Sequence, residues 1–487
     1  MEERKGFGSN FGFLMAAIGS AVGLGNIWGF PNKMGANGGF TFLIIYLILA
    51  VICGLVVMVG ELALGRKTGQ GAIAAYKTLS KKFKWLGWLG VVSAFLILGF
   101  YCALGGYCLK YLVLNVGDLF GADFGAKVFT DVAAANGSSV GAESFNALLG
   151  NQGEAVIYGL IFVVITMVIV MGGIGGGIEK VCSIGMPALF VMLVICIIRA
   201  CTLPGAVDGL KYMFVPGWAV DNGVITEAPN FFSVLSTAGG QMFFSLSLGM
   251  AAMLTYGSYM DKKKNLQSNA VVLVIMDTLV ALMAGLCVIP GRFALDPTGS
   301  LGGPKLLFVT MQNVFNSMGT VGPIFGILFY LLVVFAAISS SISLLETAVA
   351  HFCDKAREEG KGDKRKQYSI IAALAAGLLC VLVCVDALGS SGIAPKDLLN
   401  INSSANWCAD WLDFFDCISE GILMPVGALL MCLMIGWEIG PEVVKEEVEV
   451  GGYHKMWGYT FFKICFKIVT PLCMLLVLYG QIKDFFF

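Results

Sequence analysis

Apolar and polar positions along this chain fall into long blocks, not the short alternation of half-buried strands. Eleven apolar runs separated by polar connectors predict helical spans at 11–35, 40–65, 86–116, 155–172, 180–202, 233–260, 266–290, 322–352, 368–389, 410–436 and 457–483. Roughly 20 apolar residues in a helix suffice to cross a bilayer. Two of these spans are poorly made as helices. Span one carries Gly19, Gly23, Gly25 and Gly29, then Pro31, with the polar Asn26 between them. Each interior glycine costs about 1 kcal/mol relative to alanine, and proline removes a ladder hydrogen bond. Span six carries Gly239-Gly240-Gln241 and Ser245-Leu246-Ser247-Leu248-Gly249 in mid-run. Backbone released at membrane depth must be buried in protein or line a cavity. Both runs are therefore expected to break and to offer carbonyls and N–H groups to a ligand. Small residues four apart, as in Gly19 and Gly23, also suit close helix packing, and composition alone leaves that alternative open.

Composition changes the picture little but excludes much. Of 487 residues, 57% are hydrophobic and 13% charged, about half the charge of a soluble domain, so the chain reads as a multi-pass membrane protein. A net charge of −1 and the lack of a basic domain give no footing for nucleic acid. The glycines follow no strand, which excludes a nucleotide-binding loop. Fifteen cysteines without a C-x-x-C pair, and only two histidines, argue against a zinc or redox site and against an enzyme. Met-Glu-Glu-Arg-Lys runs directly into a full-length span, so no cleavable signal is expected.

Basic residues set the orientation. Arg4 and Lys5, the 66–84 connector, Lys262 to Lys264 and the 355–366 connector lie on one side, whereas 118–154 holds only Lys127. The N-terminus is expected in the cytoplasm and, with an odd span count, the C-terminus outside, in a plasma (inner) membrane. Spans one and six, five apart, then cross in opposite senses. Asp277 is the only charge in Ala270–Pro290. A carboxylate there is costly unless protonated or matched by a cation, which marks it as functional.

Together, Gly19-Ser20-Ala21-Val22-Gly23-Leu24-Gly25-Asn26-Ile27-Trp28-Gly29-Phe30-Pro31, Ala36-Asn37-Gly38-Gly39, Gly60-Glu61-Leu62-Ala63-Leu64-Gly65-Arg66 and Gln241–Gly249 resemble the signatures of the neurotransmitter:sodium symporters, in their bacterial amino-acid branch. The likeness covers nearly the whole chain. It implies an all-α membrane protein of eleven transmembrane helices with a leucine-transporter-like 5+5 inverted repeat and broken helices 1 and 6. Residues 1–202 would form the first repeat, 203–436 the second, and 437–487 a cytoplasmic loop plus helix 11. The transporter rule that pairs broken helices with a midplane site was itself drawn from this family, so it adds no separate support.

The resemblance also implies the sites. One sodium ion would meet Ala21, Asn26, Ser245 and Asp277 beside the substrate carboxylate; a second would meet Gly19, Val22, Ala336, Ser339 and Ser340. The family often has asparagine where Asp277 stands, with chloride nearby, and its chloride-site serine is Ala281 here, so chloride is not expected. The substrate would touch Ala21, Leu24, Gly25, Ile97, Tyr101, Phe244, Ser245, Ser247, Met250, Ser340 and Leu344. Gly23 stands where monoamine carriers place an aspartate, which favours a substrate with its own carboxylate. The inner gate would pair Arg4 with Asp354 above Tyr259. At the outer gate Gln241 and Asp413 remain, but Gly29 replaces the usual arginine. Asp413, Asp416 and Glu420 share one helix face, which fits a wetted helix end, cation attraction, a compensating base such as Lys33 or Arg292, or a protonated acid. Glu61 resembles the glutamate that braces span six, Gly177 and Pro187 resemble a segment that unwinds at the start of span five, and Glu346 matches no family role. The implied activity is sodium-coupled import of a neutral, apolar or aromatic amino acid by alternating access. A sodium-dependent amino-acid sensor, or a carrier of another small carboxylate-bearing solute on this fold, is the alternative, while a channel would need a continuous polar pore. Oligomeric state is not legible.

Overall fold

The computed structural model describes residues 6–295, 303–362, 364–401 and 405–486. The elements among them are helical, without a strand. Span one is α1 (Asn10–Ala21) and α2 (Gly25–Ala36), bent by 47° at the break. There follow α3 (Phe40–Thr68), α4 (Leu86–Phe120), α5 (Gln152–Met171) and α6 (Ile174–Cys201). Span six is α7 (Phe231–Ser245) and α8 (Ala252–Gly257), separated by six non-helical residues. Next come α9 (Leu266–Leu295), the short α10 (Met311–Ser317), α11 (Gly319–Glu358), α12 (Arg365–Asp386), α13 (Trp411–Glu438), α14 (Glu442–Val448) and α15 (Tyr459–Phe486). Nine helices among the described residues are long and apolar enough to cross a membrane, and the bent α1–α2 pair makes a tenth. The two pieces of span six are each too short to qualify alone.

Two packed groups place the breaks at the centre. Helices α4, α5, α11 and α12 lie against one another, and α2, α3, α7, α8 and α9 form a second group, with α1 bridging to α11. Both breaks have local causes. Val22, at the end of α1, is extended (φ −76°, ψ 103°), and the chain resumes as a wide π turn over Gly25–Gly29. In span six the left-handed region is entered at Ser247 (φ 54°), Gly249 (φ 77°) and Ala251 (φ 63°). Glycine enters that region freely, whereas Ser247 and Ala251 do so at a cost on the order of 1 kcal/mol or more each. Glu61 offsets it: buried in α3, its carboxylate accepts from the Gly249 N–H (2.7 Å) and the Leu254 N–H (3.3 Å). The span-five segment is wound, with a π turn over Ile174–Glu179 leading into a helix that continues through Pro187.

Candidate functional site

Opening α1 at Ala21 leaves carbonyls without helical partners, and α11 meets them with hydroxyls. Ser340 Oγ lies 3.3 Å from the Gly19 carbonyl, 3.2 Å from that of Ser20 and 3.4 Å from that of Val22. Ser339 Oγ lies 3.4 Å from the Val22 carbonyl and 3.0 Å from that of Ala336. All five residues expected at the second sodium site thus lie together, on two helices more than 300 residues apart in sequence. Gly19 permits the approach, since a Cβ there would sit 3.0 Å from the Ser339 Cβ.

A second polar cluster gathers around Asp277, which is fully buried in α9. Asn26 Nδ2 donates to Asp277 Oδ1 (2.7 Å) and to Ser245 Oγ (2.9 Å). The Ser245 hydroxyl approaches both carboxylate oxygens, at 3.1 and 2.9 Å. Tyr46 of α3, which sequence reasoning missed, donates to Oδ2 at 3.4 Å. Asn26 Oδ1 accepts from the Gly23 N–H at 2.9 Å, holding the break in shape. The partners found for the Asp277 carboxylate among the described residues are all neutral.

Between the clusters lies a small cavity lined by Ser20, Ala21, Gly23, Gly25, Ile97, Tyr101, Phe244, Ser247, Met250, Ser340 and Leu344. No lining side chain is charged. Most expected substrate contacts line it, and Ser20 and Gly23 join them. Leu24 and Ser245 do not: the Leu24 N–H is taken by the Tyr101 hydroxyl (2.7 Å), and Ser245 turns to Asp277. A Cβ on Gly23 would overlap the Tyr101 and Ser340 hydroxyls. The Ser247 hydroxyl donates to the Ser20 carbonyl (2.8 Å), tying one break to the other.

The gate residues divide. Arg4 lies outside the described residues. Asp354 accepts from the Gly71 N–H (2.7 Å) and lies 3.6 Å from Arg357. Tyr259 donates to Glu346 (2.6 Å), and Glu346, fully buried in α11, also pairs with Arg365, whose Nε donates to the Val170 carbonyl (2.9 Å). Sequence reasoning gave Glu346 no partner, although a lone buried acid implied a cation. Glu179 was also missed; it accepts from the Gly8 N–H (2.8 Å) and the Ser9 hydroxyl (3.0 Å), fastening the chain before α1 to the start of α6. On the other side, Gln241 Nε2 donates to the Gly25 carbonyl (2.7 Å). Asp410 caps the first turn of α13, its side chain accepting from the Asp413 N–H (2.7 Å), and Asp413 itself makes no ion pair among the described residues. Of the two candidate bases, Lys33 pairs with Glu420. The Arg292 guanidinium lies near the Phe293 ring, 6.0 Å from its centre.

Comparison with known proteins identifies the family and the fold. A profile of the sodium:neurotransmitter symporter family matches residues 4–121 and 144–486. An uncharacterized sodium-dependent transporter of Bacillus subtilis is 33% identical over 478 residues, 96% of each chain. The creatine transporter of Torpedo marmorata is 25% identical over 95% of this chain and 76% of its own. Among solved structures, MhsT in complex with L-phenylalanine superposes with a TM-score of 0.81 at 32% identity, covering 98% of this chain and all of that one.

Proposed function

The chain belongs to the sodium:neurotransmitter symporter family, and from that premise we propose that it imports a neutral amino acid with sodium by alternating access. It is a sodium-dependent multi-pass membrane transporter and not an enzyme. The finer reading is ours: eleven spans in two inverted five-helix repeats (1–202 and 203–436) followed by 437–487, in the plasma membrane, N-terminus inside and C-terminus outside.

One observation carries it: carbonyls released at the break in span one face the Ser339 and Ser340 hydroxyls. Oxygens bound to one hard cation about 2.4 Å away stand about 3.4 Å apart. The 3.3 and 3.4 Å separations from Ser340 to Gly19 and from Ser339 to Val22 are of that size. We assign the second sodium to Gly19, Val22, Ala336, Ser339 and Ser340. The first goes to Ala21, Asn26, Ser245 and Asp277. There the Asn26 amide NH2 donates to the two side chains that a cation would hold, so to serve as a ligand Asn26 must turn its Oδ1, which accepts from the Gly23 N–H, toward the ion. A substrate carboxylate beside that ion makes the two affinities mutually dependent, as coupling requires. The built-in carboxylate of Asp277 removes the need for chloride.

The uncharged cavity supports a neutral substrate. Ile97, Phe244, Met250 and Leu344 surround its side chain, and Tyr101 with the Leu24 and Gly25 N–H groups offers donors to its carboxylate, the Leu24 donor once Tyr101 turns away. Each net charge moved inward gains about 2.3 kcal/mol per 100 mV. The test is a thermal-shift screen of the twenty amino acids in NaCl against KCl, then uptake of the best hit into proteoliposomes. Sodium-driven accumulation is expected. Binding without accumulation or counterflow would make the protein a sensor, and shifts indifferent to sodium would refute the assignment.

A further inference from the structure

We propose that Lys33 and Glu420 form the outer latch of this protein, joining the outer half of span one to span ten over the substrate cavity. The inference rests on the transport reading above and names the residues that close its extracellular side.

Three features of the packing converge on this pair. Gly29, one turn nearer the cavity than Lys33, carries no side chain, and its place is filled by Gln241: a Cβ on Gly29 would lie 2.9 Å from Gln241 Oε1. No long cation can stand there without displacing Gln241, which is fully buried and anchored to the Gly25 carbonyl at 2.7 Å. One turn farther out, the Lys33 ammonium donates to Glu420. The Lys33 side chain keeps 24% of its surface exposed while that of Glu420 keeps 5%. The cation therefore reaches in from the wetter side to a nearly buried acid.

The second feature lies in span ten. Glu420 projects from a π-helical stretch, Cys417–Leu423, inside α13, the kind of local widening that proteins often place at functional sites. The third lies in span six, where Gly240 leaves room both for Gln481, whose Nε2 would sit 2.2 Å from a Cβ there, and for the acid, with Glu420 Oε1 at 3.1 Å. The adjacent Gly240 and Gln241 thus shape span six around α13 on one side and α2 on the other. Breaking the pair strands an acid in a nearly dry site, a penalty of several kcal/mol unless water or a proton enters. Opening of the vestibule must meet that penalty by flooding Glu420, which is what makes the contact a latch and not a surface ion pair.

Hydrogen–deuterium exchange on the full-length protein in lipid nanodiscs tests this without a known substrate. Lys33→Met, Glu420→Gln, the double variant and Lys33→Arg are compared with the natural chain in NaCl. Peptides covering 25–36 and 411–423 are expected to exchange at least fivefold faster in each single variant. The double variant should do no more than either single one, since both delete one contact, and Lys33→Arg should stay close to the natural chain. Peptides from 86–120 report on general unfolding and should not change. Unchanged protection of the two gate peptides in Lys33→Met, or full additivity in the double variant, would overturn the latch. If exchange in the natural chain is the same in NaCl and KCl, the sodium reading fails instead.

Discussion

Ser339→Ala isolates the second sodium site. Ser339 lines no part of the cavity, and its hydroxyl touches only the Val22 carbonyl at 3.4 Å and, three residues back in its own helix, that of Ala336 at 3.0 Å. Without sodium the hydroxyl is worth about 0.5–1.5 kcal/mol, the net value of one neutral hydrogen bond. As a ligand to a cation it interacts with a full charge, and losing it costs about 1.5–3 kcal/mol. At about 1.4 kcal/mol per tenfold, the sodium concentration for half-maximal stabilisation should rise about 10- to 150-fold. Melting in potassium should fall only slightly. The assay is a sodium titration of thermal stability at constant ionic strength, with Ser339→Thr as the variant that retains an oxygen. If Ser339→Ala melts lower in potassium but titrates with sodium like the natural chain, the hydroxyl is packing and the assignment of this cage is wrong.

Three further outcomes follow from the same geometry. Replacing chloride by gluconate should leave uptake by the natural chain unchanged, while Asp277→Asn should raise the sodium half-saturation of uptake at least tenfold, about 1.4 kcal/mol; strict chloride dependence of the natural chain would contradict the role given to Asp277. Gly23→Ala pushes a methyl group into the Tyr101 and Ser340 hydroxyls; overpacking of about 1–3 kcal/mol should weaken substrate binding about 5- to 150-fold in equilibrium binding, and an unaltered affinity would place the substrate elsewhere. Gly29→Arg, which restores the residue usual in the family, should lower initial uptake more than tenfold because Gln241 fills the space; a faster transporter would show that Gln241 yields and that the vestibule is open at this point.

What could be read from the chain beforehand, and what could not, divides by the kind of free energy involved. The breaks in spans one and six were legible because glycine, proline and unpaired polar groups act on their own backbone, whatever lies opposite. Asp277 was legible for a similar reason, since a lone carboxylate in an apolar run announces its cost locally. Cavity residues came only through family likeness, and Ser20 in the lining and Tyr46 beside Asp277 escaped because nothing local distinguishes such a serine or tyrosine from a packed one. Ion pairs between spans were the least legible. Arg365 is one of six basic residues in the 355–366 connector, each able by charge alone to answer Glu346, and it is the one whose Nε the Val170 carbonyl holds. Lys33 and Arg292 were likewise equal as charges. What separates them is reach, because α2 carries the Lys33 stem to the π turn of α13. Sequence therefore states that a buried acid needs a cation, and only the relative placement of helices 387 residues apart states which one answers.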